Sequence, residues 1–138
     1  MKQRPWKIHL TANGVPCSCC GKVEYPYIDG ICDAHTEGLY KLYRHPEFQM
    51  ILDYPTKQIG YILNTLADAV QNGERFTPRF IAGIFEDCLI QLVPIQLEDT
   101  PAFRVIIPDR HNVWPNDPKC EHPYNKQLLH LDQLQRSR

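Results

Sequence analysis

Four residues early in the chain have the types and spacing of a metal site. Cys17 and Cys20 are separated by two residues. The same step recurs after a short interval at Cys32 and His35. Zinc prefers four thiolate or imidazole ligands in a tetrahedron, and two short chelating arms on a hairpin can supply them. The spacing predicts a structural zinc ion in a closed, four-ligand site that activates no water.

Other residues and another chemistry compete with this zinc site. Cys19 could replace Cys17 or Cys20, and Cys19, Cys120 or His122 could replace His35. A Cys-x-x-Cys step also occurs in thioredoxin-type redox motifs, where it precedes a long helix. The continuation over residues 21–26, Gly-Lys-Val-Glu-Tyr-Pro, does not suit a helix, so we favour zinc.

A second group of reactive side chains lies late in the chain, in a segment made rigid by four prolines. Polar and aromatic residues on such a loop are typical of a binding or catalytic site. A cysteine near a histidine and an aspartate can form an activated thiolate. The group comprises Asp109, Arg110, His111, Trp114, Asp117, Cys120 and His122. The plain alternative is that the Asp-Pro and His-Pro steps only build turns.

An earlier His-Pro-Glu step could complete a polar pocket with this loop. His45 and Glu47 flank Pro46, and alone such a step is more often a turn with a carboxylate that caps a helix. The sequence contains no glycine-rich phosphate loop, no G-x-S-x-G elbow and no H-E-x-x-H helix. Because these motifs are absent, the sequence does not indicate a reaction class.

Composition sets limits on the class of protein. The 138 residues are 43% hydrophobic and 22% charged, which suits one globular domain. A net charge of −1 disfavours bulk attraction to nucleic acid or anionic membranes. Without an apolar signal segment or an 18-residue apolar run, we expect a soluble, cytoplasmic protein. Three disulfides from the six cysteines are disfavoured in a reducing cytosol.

Periodicity predicts an α+β fold, with a small, mainly antiparallel sheet backed by one long helix and preceded by the zinc-knuckle hairpin. The helix covers residues 55–72, with an apolar stripe of Ile59, Ile62, Leu63, Leu66, Ala67 and Val70. An edge strand or an extended arm is predicted around Trp6, Ile8 and Leu10. Strands are predicted over 48–52, 88–93 and 102–107, and Pro94 is expected to end the second of these or limit it to an edge. A short helix is predicted over 128–134. We divide the single domain into a zinc-hairpin subdomain (1–35), an α+β core (36–131) and a loose tail (132–138).

Several short motifs also occur in order along the chain. They are Thr36-Glu-Gly-Leu, His45-Pro-Glu-Phe, Gly73-Glu-Arg-Phe, Pro108-Asp-Arg and Trp114-Pro-Asn-Asp-Pro-Lys-Cys. From Asp33 to Leu131 the chain thereby resembles a bacterial family known only as domain of unknown function 4262. The resemblance implies a shared fold and carries over no mechanism, because that family has no established function. The chain departs from it at Arg79, where a glycine is more usual, and the Cys17–Cys20 arm lies before it.

Three functional hypotheses follow. We expect a zinc-stabilised protein that works by binding a protein or a small ligand, with no catalytic residue assigned. The alternative is a hydrolase-type enzyme whose pocket is formed by His45, Glu47 and the Asp109–His122 loop. A weaker alternative is nucleic-acid binding through the zinc hairpin, which the neutral overall charge disfavours.

Overall fold

The computed structural model describes residues 4–12, 32–83, 88–97 and 99–128. Its strands are β1 (Lys7–Ala12), β2 (Cys32–Glu37), β3 (Glu47–Leu52), β4 (Phe80–Ile81), β5 (Ile90–Leu97) and β6 (Thr100–Ile106). Its helices are α1 (Leu39–Tyr43), α2 (Thr56–Gln71) and a 3-10 turn (Tyr124–Lys126). The strands form one mixed sheet in the order β1-β2-β3-β6-β5-β4. The predicted α+β class is confirmed.

The sheet consists of two antiparallel three-stranded meanders that meet along a parallel seam. β1, β2 and β3 form one meander, and β4, β5 and β6 form the other. At the seam β3 runs parallel to β6, with Glu47 opposite Ala102 and Gln49 opposite Arg104. The two meanders therefore share one hydrophobic core instead of forming separate sheets.

The helix α2 lies within the predicted range, and local signals explain both of its ends. Pro55 stands at the N-cap with φ −55°, and its carbonyl accepts the N–H of Gln58 and of Ile59 at 3.0 and 3.1 Å. Beyond the last turn Gly73 adopts φ +101°, the left-handed conformation that commonly ends a helix. All six residues of the predicted apolar stripe are buried, and the helix packs against β2 and β3.

The core lies between α2 and one face of the sheet. Every residue of β3 is buried, and alternate residues Phe48, Met50 and Leu52 face the helix side with Phe103 and Val105 of β6. Trp6, just before β1, closes one end of this core, and its indole N–H donates to Asn64 at 3.0 Å. Gly38 suits this position because its φ of +123° would strain a residue with a side chain, and a Cβ there would also lie 3.3 Å from Trp6.

Pro94 lies inside a strand, at a place where the neighbouring strand is missing on one side. The sequence predicted that Pro94 would end a strand or sit at an edge, and β5 continues through it to Leu97. β4 pairs only with Ile90 and Gln91, so at Pro94 the described sheet has a neighbour on one side alone. A proline is tolerated in such a position because no partner strand requires its missing N–H.

The strand β2 was not predicted. Its sequence, Cys-Asp-Ala-His-Thr-Glu, has low intrinsic preference for a strand, and tertiary pairing with β1 and β3 stabilises it instead. The rest of the predicted zinc hairpin (13–31), nearly all of the predicted helix over 128–134 and the tail (132–138) lie outside the described residues. Over the described ranges, no helix has the length and apolar character needed to span a bilayer.

Candidate ligand-binding loop

Asp109 organises the loop that follows β6. Its Oδ1 accepts the N–H groups of His111 at 2.8 Å and Val113 at 2.9 Å, and its Oδ2 accepts the N–H of Glu121 at 3.1 Å. Burial alone would raise the pKa of this carboxyl, but the three backbone donors lower the pKa of Asp109 below its ordinary value. Asp109 thus fastens both ends of the loop and stays internal, at 4% exposure.

Successive tight turns fix the shape of the loop between these ends. The N–H of Asn112 donates to the carbonyl of Asp109 at 2.9 Å, with Asn112 at φ +63°. The N–H of Asp117 donates to the carbonyl of Trp114 at 2.9 Å. The carboxylate of Asp117 then accepts the N–H of Lys119 at 2.9 Å, as aspartates often do in turns. The loop is therefore folded by its own hydrogen bonds.

Trp114 lines a shallow depression on this loop. Its half-buried indole packs edge-to-face against Phe80 of β4, with ring centroids 5.1 Å apart and planes at 73°. The depression has a volume of about 460 Å³ and is lined by Asn112, Val113, Trp114, Asn116, Asp117 and Pro118. Within the described part of the chain, no cationic side chain lines it, and neither asparagine amide forms a hydrogen bond. Unengaged polar groups thus surround an aromatic ring.

Cys120 is held in the interior of the loop. Its side chain is 4% exposed, and the thiol donates to the carbonyl of Val113 at 3.3 Å. Burial raises the pKa of Cys120, and the negative charges of Asp109 and Asp117 raise it further. A thiol that stays protonated at neutral pH is a poor nucleophile, so this environment is the opposite of the one that activates a cysteine.

Alkylation can test the environment of Cys120. In the native protein at neutral pH we expect iodoacetamide to modify Cys120 at least about tenfold more slowly than the half-exposed Cys88. Peptide mass spectrometry over a time course would measure both rates. In urea the two thiols should react at similar rates, which controls for local sequence. A native Cys120 that reacts as fast as Cys88 would contradict this assignment and favour the hydrolase hypothesis.

His45 is an internal residue with a defined proton position. It is 1% exposed, its Nδ1 donates to the carbonyl of Pro46 at 2.8 Å, and its Nε2 accepts the N–H of Phe76 at 3.0 Å. Because a backbone N–H can only donate, Nε2 must be unprotonated. Burial lowers the pKa of His45, and the charge of Arg75 adds to this. The ring is thus neutral and packed among phenylalanines.

The lowered pKa of His45 predicts a loss of stability in mild acid. The unfolded chain binds a proton near pH 6.5, whereas the native ring resists protonation. The contribution of His45 is therefore complete above about pH 6.5 and falls as the pH drops towards the lower native pKa, by at most about 1.4 kcal/mol per pH unit. Urea titrations across this range should show a shallower pH dependence for His45→Gln than for the wild type. The matched control is His122→Gln, since His122 is an exposed histidine, and it should leave the dependence unchanged.

Glu47 also has an internal role, at the start of α1. Its Oε1 accepts the Thr36 hydroxyl at 2.7 Å and the N–H of Leu39 at 3.2 Å. Its Oε2 accepts the N–H groups of Gly38 and Tyr40 at 3.1 and 3.0 Å. These N–H groups lack partners within a helix, so the side chain caps α1 from a neighbouring strand. The turn-and-cap alternative for His-Pro-Glu describes this arrangement.

The structure does not bring the two predicted parts of the pocket together. Among the described residues, no hydrogen bond, ion pair or ring contact joins His45 or Glu47 to the loop over 109–122. The remaining predicted loop residues, His111 and His122, are exposed. At the surface Arg110 forms an ion pair with Glu121 at 2.8 Å. Trp114 and Asp117 are the predicted residues that line the depression.

Only part of the predicted zinc site is described. Cys17 and Cys20 lie outside the described residues, Cys32 is the first residue of β2, and His35 lies on the same strand. The backbone of this second arm is extended, as part of β2. Over the residues that can be described, no three His, Cys, Asp or Glu side chains form a metal-binding group. The zinc site remains a prediction from spacing.

Sequence reasoning missed a polar row that crosses the sheet away from α2. His9, His35, Gln49 and Arg104 are neighbours in register on β1, β2, β3 and β6. Arg104 is fully buried, and its guanidinium donates to Gln49 Oε1 at 2.8 Å and to the Gln127 carbonyl at 2.7 Å. Burial lowers the pKa of Arg104 to about 10, against the raising effect of Asp33, so it stays charged at neutral pH. Its position in an apolar strand was the available signal.

Comparisons with known proteins add no relative. No family model, no curated protein and no solved structure matches the chain. Function is therefore inferred from the residues and their geometry alone.

Proposed function

We propose that this protein acts by binding, and that the depression around Trp114 is its contact surface. The observation that carries the proposal is a loop folded by the Asp109 carboxylate around a half-buried indole with unengaged amides beside it. A surface that is already ordered loses little conformational entropy when a ligand arrives. Aromatic rings with a few convergent polar groups are typical of ligand sites.

The environments of the side chains that a hydrolase would need favour binding over catalysis. A general base or nucleophile has to reach a substrate, and its pKa has to suit the proton transfer. His45 is neutral and engaged at both ring nitrogens. Glu47 is occupied by four donors, and the Cys120 thiol is buried with a raised pKa. Each of these groups has a structural partner in place of an open position.

A fragment screen by NMR tests the location of the surface. Fragments collect at sites that bind natural ligands, so we expect hits to shift the Trp114 indole signal and the side-chain amides of Asn112 and Asn116. The indole of Trp6 is an internal control, because it is buried and bonded to Asn64. Hits that cluster elsewhere, or no hits at all, would refute the proposal.

Two variants make this screen specific. Trp114→Ala should abolish the shifts, whereas His111→Ala, on the same loop but outside the lining, should preserve them. The amide signal of Glu121, which also donates to Asp109, reports whether the carboxylate still fastens the loop in each variant. Loss of binding counts only where that signal is unchanged.

A structural zinc ion at Cys17, Cys20, Cys32 and His35 is part of the same proposal, and its support is the spacing in the sequence. Native mass spectrometry should show one zinc per chain in the wild type. Cys32→Ser should lose both the zinc and stability, whereas the matched variant Cys88→Ser should keep both. A wild-type protein without metal would rule out the ion and leave the early cysteines as candidates for redox chemistry.

A further inference from the structure

We propose that the depression around Trp114 binds neutral saccharides. This inference rests on the proposed binding function and names the class of ligand. A sugar ring has apolar C–H faces and a rim of hydroxyl groups, and it therefore needs an aromatic platform with polar groups beside it. The lining residues supply both elements in one rigid loop.

The aromatic element, Trp114, is held in place by a contact with Phe80. The edge-to-face contact with Phe80 fixes the indole of Trp114 while the ring stays half-buried and lines the depression. Indole presents a broad apolar surface and loses few rotatable bonds on binding. A platform that is already packed can accept the apolar face of a ring without rearrangement.

The polar element has the mixture that hydroxyl groups require. Each amide of Asn112 and Asn116 offers two N–H donors and a carbonyl acceptor. Asp117 adds an acceptor, because its Oδ1 holds the Lys119 N–H while its Oδ2 forms no hydrogen bond within the described residues. A hydroxyl both donates and accepts, so all three side chains can be used by one ligand.

The charge of the lining residues favours a neutral ligand over an anionic or a cationic one. An anion would meet the Asp117 carboxylate, and no cation among the lining residues would balance it. A lysine or arginine side chain would suit the indole and the carboxylate, but it would leave the amide donors of Asn112 and Asn116 without acceptors. A neutral ligand rich in hydroxyls uses every group that lines the depression.

The dimensions set the expected affinity. The volume of about 460 Å³ lies in the range of small-molecule sites, about 300–1,000 Å³. The depression is shallow, so a single ring stays partly in water and gains little from burial. We expect dissociation constants on the order of 1 mM, with tighter binding for longer chains that reach beyond one ring.

Intrinsic fluorescence provides the test, because the chain has two tryptophans and Trp6 is buried. Maltohexaose, cellohexaose and N-acetylchitohexaose would be titrated separately, with calorimetry as the second measurement. We expect at least one of them to give a saturable fluorescence change in the wild type. Calorimetry should show no binding of that oligosaccharide to Trp114→Ala, which lacks the reporting indole. Asn116→Ala should weaken binding about tenfold. Asn112→Gly, which tolerates the positive φ, should do the same, whereas Asn125→Ala, on the exposed 3-10 turn, should bind like the wild type.

Every outcome decides the inference. Saccharide binding that survives Trp114→Ala, or no binding of any of the three oligosaccharides, overturns it. A response to the dipeptide Lys-Arg in place of the saccharides also overturns it, while the proposed binding function stands. If NMR fragments collect on Trp114 and the oligosaccharides do not bind, the surface is correct and the ligand class is wrong. Failure of both experiments refutes the inference and the proposed function together.

Discussion

Replacement of Glu47 with alanine is expected to lower the free energy of unfolding by about 3–5 kcal/mol. The carboxylate accepts one hydroxyl and three backbone N–H groups, and in the variant these donors would remain buried or half-buried without an acceptor. The N-terminus of α1 would lose its cap, and the contact between α1 and β3 would lose its polar anchor. The effect is large because one side chain serves four donors.

Urea denaturation would measure this loss. Glu74→Ala is the matched control, because Glu74 is exposed and forms no side-chain hydrogen bond with any described residue. We expect a change within about 0.5 kcal/mol. Glu47→Gln should fall between the wild type and the alanine variant, since an amide oxygen can still accept while its NH₂ group opposes the remaining donors. A stable alanine variant would show that the carboxylate is not structural and would return Glu47 to the list of active-site candidates.

Replacement of Arg104 with alanine is expected to be comparably destabilising, by about 3–5 kcal/mol. The guanidinium joins β6 to Gln49 on β3 and to the Gln127 carbonyl beyond the 3-10 turn. Gln49 in turn donates to Asp33 at 3.3 Å. Without Arg104, a cavity opens in the sheet and the buried carboxylate of Asp33 loses the positive charge that faces it.

Two further variants separate the causes. Arg104→Met keeps most of the volume and removes the charge. The difference in free energy of unfolding between the methionine and alanine variants therefore measures the cost of the cavity. Arg4→Ala removes an exposed cation paired with Asp68 at 3.0 Å, and it should change stability by about 0.2–1 kcal/mol. If Arg104→Met were as stable as the wild type, packing alone would explain the burial of this side chain, and the polar row would have no energetic importance.

The parts of the fold that the sequence predicted are those encoded locally. Pro55, Gly73 and an apolar stripe between them define α2 without reference to the rest of the chain. The apolar run Phe48–Leu52 likewise predicts a buried strand. β2 has no such pattern, and its stability comes from pairing with β1 and β3 on either side. Pairing between distant segments is not visible in a single stretch of sequence.

The candidate site shows the same division. Sequence reasoning selected the loop that carries the candidate surface, because proline spacing and residue types are local properties. It could not separate Asp109, which folds the loop from inside, from Trp114, which lines the surface, since burial depends on the whole fold. For the same reason His45 and Glu47 resembled catalytic residues until their internal partners were known. Arg104, which links β6 to β3 through Gln49, was missed, although an arginine inside an apolar strand was a local signal.

The seam between the two meanders has a consequence for how the chain folds. Each meander joins strands that are close in sequence, whereas at the seam Arg104 contacts Gln49 from 55 residues away. Closing so long a segment costs chain entropy before any contact compensates, so contacts of this kind slow folding. We therefore expect each half to gain structure before β6 reaches β3, and the pairing of these two strands to limit the folding rate. In the folded protein, we expect the hydrogen bonds between β3 and β6 to break only on global unfolding. The backbone amides of these bonds should therefore be the slowest to exchange with deuterium.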